Sequence, residues 1–103
     1  WTQVSTANAP SQRGVAGMAF DSVRNRAVLF GGNGPSGHLG DLWEYDGTNW
    51  LAKPTPPVGA REWPGLAFDS VRGVLVLFGG SPPQASQSFN DTWEWNGVTG
   101  VWS

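Results

Sequence analysis

The chain has 103 residues, enough for one small domain with a modest core, and seven tryptophans are many for that length. Its formal charge of −2, with Lys53 the lone lysine and the arginines scattered, provides no clustered basic surface for nucleic acid. Absence of cysteine excludes disulfides, thiolate catalysis and cysteine metal sites, no apolar run approaches the roughly 20 residues of a membrane span, and the stretch from Trp1 lacks the regions of a signal peptide.

Fifteen glycines and eight prolines predict many tight turns, as in an all-β domain of short strands. Along the chain, Val15 to Phe20 is small and apolar, suited to a closely packed inner strand. Asp21 to Asn25 reads as a hairpin turn. Ala27 to Phe30 is a continuous apolar run, which predicts a strand buried on both faces. Gly31 to Gly40 is glycine-rich and reads as a long loop. Leu42 to Tyr45 mixes aromatic and polar residues, Asp46 to Asn49 is a second turn, and Trp50 to Ala52 begins a fourth strand. Lys53 to Pro64 is another long connection. No stretch carries a capped 3.6-residue period, so essentially no helix is expected.

The same series then returns. Ala19 to Arg24 recurs as Ala67 to Arg72, and Val28 to Gly32 recurs at the same offset as Val76 to Gly80. Asp41, Trp43 and Glu44 recur as Asp91, Trp93 and Glu94 at a slightly larger offset, after a longer loop. Gly47 maps to Gly97, and Trp50 maps forward to Trp102 and back to Trp1. Arg13, Phe20, Gly31-Gly32, Trp43 and Trp50, matched by Arg61, Phe68, Gly79-Gly80, Trp93 and Trp102, resemble the kelch repeat across nearly the whole chain. A β-sandwich would not predict such a repeated unit.

The resemblance implies an all-β fold of two consecutive four-stranded antiparallel β-propeller blades. In this reading residues 1–49 hold an outer strand for a neighbouring blade plus three strands of the first blade. Residues 50–103 hold the first blade's outer strand and the second blade. The glycine pairs should let a bulky neighbour approach bare backbone, and the tryptophans should give blades large apolar faces. A propeller closes typically about 4–8 blades, so two blades leave faces uncovered and require self-association or a longer chain. Three copies would give six blades, a number known among kelch propellers, and four copies would give eight. Trp1, Thr2, Gln3 and Val4 are expected to complete the last blade of a neighbour by strand addition, in competition with Trp102.

Function is expected on the face that carries Gly31 to Gly40, Lys53 to Pro64 and Gly79 to Asn90. The candidate binding residues there are His38, Arg61, Trp63 and Phe89, for a protein or carbohydrate partner. Arg13, Arg61, Glu44 and Glu94 each have a twin, which favours an architectural role through charge-assisted hydrogen bonds. Asp21 and Asp69 should shape hairpin turns, and Asp41 and Asp91 should satisfy backbone N–H groups where each third strand begins. One histidine serves the whole chain, so neither a Ser-His-Asp triad nor a histidine metal cluster is expected, and no cofactor. Galactose-oxidase-like kelch enzymes need several His and Tyr and a Cys, which this sequence lacks. The expectation is a non-catalytic scaffold that closes a ring with copies of itself. The alternative is a binding module of a larger protein.

Overall fold

The computed structural model describes residues 1–83 and 88–103. The centre of the Gly79 to Asn90 loop therefore lies outside the described residues. Among the described residues, eight strands form two antiparallel meanders. The first sheet runs β1 (Gly17–Asp21), β2 (Arg26–Gly34), β3 (Gly37–Tyr45) and β4 (Trp50–Ala52), each paired with the next. The second repeats the order with β5 (Gly65–Asp69), β6 (Val74–Phe78), β7 (Thr92–Asn96) and β8 (Val101–Trp102). There is no helix among the described residues.

Each β1–β2 type turn is built by its aspartate. Asp21 accepts the Val23 and Arg24 N–H groups at 3.0 Å, and Asp69 accepts those of Val71 and Arg72 at 3.0 and 3.1 Å. Asn25 and Gly73, at equivalent places in the two repeats, close these turns with φ of 54° and 68°. Gly31 to Gly40 is not a loop. β2 and β3 continue through it as a hairpin, pairing Asn33 with His38 and Gly34 with Gly37, after a bulge between Phe30 and Gly32. A Pro35-Ser36 tip, too short to stand out among so many glycines, turns the chain.

The strand register sorts side chains into four faces. Ala19, Val28, Phe30, Leu42 and Glu44 share one side of the first sheet, and Met18, Phe20, Leu29, Trp43 and Tyr45 share the other. In the second sheet Leu66, Phe68, Leu75, Leu77, Trp93 and Trp95 lie on one side, and Ala67, Val76, Phe78 and Glu94 on the other. The Phe30 face of the first sheet packs on the Leu77 face of the second. Their contact buries Val28, Phe30, Leu42, Leu75, Leu77 and Trp95, with Val58 from the connection, at about 1.5–3 kcal/mol per large side chain. Ala27 to Phe30 is thus buried on one face only. Val28 and Phe30 are inaccessible, whereas Ala27 and Leu29 point to the Met18 side and stay partly open.

Backbone bonds fix the two sheets to each other. Gly32 N–H donates to the Arg61 carbonyl at 2.9 Å, Arg61 N–H to the Leu39 carbonyl at 3.1 Å, and Trp63 N–H to the Val15 carbonyl at 2.8 Å. Such close approach explains the glycine pair of the first repeat. A Cβ on Gly31 would lie 2.6 Å from the Arg61 carbonyl oxygen, and one on Gly32 would lie 2.7 Å from that of Gly14. Both glycines also have positive φ.

Candidate functional site

The repeated arginines tie loops to sheet, as their repetition predicts, with a different partner from the third-strand glutamates. Arg61 makes a two-pronged pair with Asp91 at 2.7 and 3.0 Å, and donates to the Gly79 carbonyl at 3.0 Å and the Gly59 carbonyl at 3.1 Å. Arg13 repeats this with Asp41 at 2.6 and 2.9 Å and with the Gly31 carbonyl at 3.1 Å. Each aspartate also accepts an indole N–H at 2.7 Å, Asp41 from Trp43 and Asp91 from Trp93. The aspartates expected to serve backbone N–H groups each also clamp an arginine and a tryptophan. Hydrogen bonds from Arg13 and Arg61 hold the Asp41 and Asp91 carboxyls below the usual carboxylate range.

This geometry reassigns two expected binding residues. Arg61 is 1% exposed and its guanidinium is engaged on every side, so it is an anchor rather than a ligand contact. Phe89 covers it, with the ring centroid 3.9 Å from the guanidinium carbon, in a cation–π stack. Spacing carries no sign of this contact, because the two residues lie on different connections.

His38 sits on β3, half-buried, with Nε2 3.5 Å from a Glu62 carboxylate oxygen. It bridges the first sheet to the approach of the second. No group of three or more His, Cys, Asp or Glu side chains that could hold a metal occurs among the described residues.

Trp63 is different. It is 69% exposed and has φ of 57°, and Val15, its counterpart in the first repeat, has φ of 51°. The architecture thus demands a left-handed residue at this position, where a bulky L-residue costs roughly 1–2 kcal/mol. Glycine would fit without strain. Trp63→Gly is expected to leave stability unchanged or raise it by about 1 kcal/mol, read from urea midpoints. A loss above about 1 kcal/mol would mean that the indole packs as core.

Trp1, Thr2, Gln3 and Val4 are exposed and outside any strand, while β8 occupies the fourth-strand slot of the second sheet. Trp102 stacks on Trp95 there with centroids 6.0 Å apart, and Ser103 exchanges two backbone bonds with Glu94 at 2.8 Å. Strand addition by a neighbour's Trp1 to Val4 would have to displace β8. Asn8 and Ala9 lie beside Trp43 and Trp50, and Asn8 N–H donates to the Asn49 side chain at 3.1 Å. The Lys53 to Pro57 connection approaches Trp95 and Trp102 of the second sheet similarly, across a cleft of about 550 Å³. Nothing in the residue pattern marks this cleft, whose walls come from segments far apart along the chain.

Two four-stranded antiparallel meanders stacked face on face are consistent with consecutive propeller blades. The kelch motif model matches residues 62–103, which span the whole second sheet. A search of curated proteins finds no match to the chain.

Proposed function

We propose that this chain is a non-catalytic kelch-type scaffold whose two blades complete a closed propeller with copies of the same chain. The observation that supports it is a contrast between equivalent positions. Phe30 is 0% exposed against the second sheet, whereas Phe78, its counterpart in the second repeat, is 55% exposed. On the opposite open face Met18 and Phe20 are more than half exposed, whereas their counterparts Leu66 and Phe68 pack against the core.

The two open faces are therefore the two halves of an interface that the molecule already makes once. Their pairing is head-to-tail, and repetition of a head-to-tail contact closes a ring or grows a filament. Three copies close six blades and four close eight. Light scattering after size exclusion tests the reading: a mass three times the 11.0 kDa of one chain is expected for three copies. A folded 11.0 kDa species at all concentrations would reject it.

A second reading is favoured by the exposed indole of Trp63, which replaces Val15 of the first repeat: a protein- or carbohydrate-binding module of a larger propeller. In it the open faces meet further blades of the same chain, and Trp63 contacts a partner on the long-loop face.

A further inference from the structure

Arg24 shows how the sheet-to-sheet contact is finished at its edge. Its Nε donates to Asp21 at 2.8 Å and its Nη2 to Glu44 at 2.5 Å, both within the first sheet. The guanidinium then lies over the indole of Trp95 in the second sheet, 5.2 Å from the ring centroid. It also fills the space beside Gly97, where any Cβ would collide with it. The ion pairs thus stand inside the interface, with the Arg24 side chain 19% exposed and those of Asp21 and Glu44 almost fully covered.

The second sheet carries the same trio with no aromatic ring over it among the described residues. Arg72 bonds Asp69 at 2.8 Å and Glu94 at 2.8 Å, and its side chain is 53% exposed. Two carboxylates already hold the guanidinium, so little side-chain freedom remains to be lost on docking. The counterpart of Trp95 on the open Met18 face is Tyr45, paired with Trp50 at 5.2 Å as Trp95 is with Trp102. Tyr45 holds its hydroxyl on the Gly47 carbonyl at 3.0 Å, which leaves the ring as a fixed plane. Among the described residues beyond its chain neighbours, no atom lies within 4 Å of the Cβ position at Gly47.

We propose that Asp69, Arg72 and Glu94 form a polar latch between copies, with the Arg72 guanidinium laid over Tyr45 of the next copy. This rests on the head-to-tail assembly proposed above and names the contact that sets its register. An arginine fork stacked on an aromatic ring and held by two carboxylates tolerates one docking geometry, whereas an apolar face alone tolerates slippage. Glu94 has a task here beyond the strand, and Tyr45 replaces tryptophan without loss of the aromatic plane.

Sedimentation over a concentration series, on the full chain, tests the latch. Arg72→Ala and Tyr45→Ala should each raise the dissociation constant about tenfold or more, and the double variant should be no worse than the worse single one. Arg72→Lys keeps the charge and loses the planar fork, so it should recover less than half of the effect in logarithmic terms. Circular dichroism of each variant at low concentration checks that the monomer still folds. Wild-type association that Arg72→Ala leaves unmoved, or single effects that simply add, would overturn the latch and leave the assembly reading intact. A wild-type chain that never associates would overturn both.

Discussion

Phe78→Asp is expected to hold the chain as a monomer of 11.0 kDa at concentrations where the parent is expected to assemble. Phe30, in the same place one repeat earlier, is wholly buried in the cluster that joins the two sheets. Filling the equivalent place in a neighbour would bury an aromatic ring, about 1.5–3 kcal/mol in each interface. An aspartate there forfeits that term and adds an unpaired carboxylate, several kcal/mol more if water is excluded. Since about 1.4 kcal/mol is tenfold in affinity, the dissociation constant should rise by well over a hundredfold. Monomer stability should change little, because Phe78 is more than half exposed within one chain. Loss of folding together with loss of assembly would show that Phe78 belongs to the chain's own core instead.

The second large effect concerns the arginine anchors, and it is asymmetric. Arg61 is 1% exposed, whereas the Asp91 side chain is 34% exposed. Asp91→Ala therefore strands a buried cation, a loss on the order of 3–5 kcal/mol. Arg61→Met leaves the carboxylate, which water still reaches, and should cost distinctly less. Chemical denaturation of the two variants measures the difference directly. Equal losses would mean that the pair is solvated as a unit. Asp41 and Asp91 both titrate below their usual range in the folded chain because of their arginines. Their contribution is complete above the unfolded-state value of about 3.9 and fades as the pH falls through the lower folded value. Urea midpoints should thus be flat from neutral pH to about pH 5 and drop below about pH 4.

Much of this architecture is legible in the residues. The echo of Ala19 to Arg24 and of Val28 to Gly32 in the second half locates both sheets, and the start of the fourth strand falls at Trp50 as read. The turn aspartates are also readable, since an Asp followed by a short polar stretch bonds its own backbone. The hairpin through Gly31 to Gly40 is not, because its strands carry glycine and polar residues with no apolar alternation to mark them. The continuous run Ala27 to Phe30 reads as doubly buried, but its burial depends on what covers the Met18 face.

The site is harder to read. Arg61 and Phe89 meet through a stack that sequence distance conceals, so two candidate ligand contacts form one anchor. Trp63 is marked in the sequence by its departure from Val15; its exposure is seen only in the fold, and its left-handed backbone is shared with Val15. The Arg24 and Arg72 trios are foreshadowed by the repeated Asp-Ser-Val-Arg sequence. What stays hidden is the difference between the copies, one covered and one bare. That difference arises only when the sheets stack.

The solution mass of the unmodified chain decides whether its two blades close a ring with copies of themselves. A single species at three times 11.0 kDa is the expected result, and one at four times that mass would set the ring at eight blades. A folded species that stays at 11.0 kDa up to high concentration would contradict the account, since its two open faces would then have no use for each other.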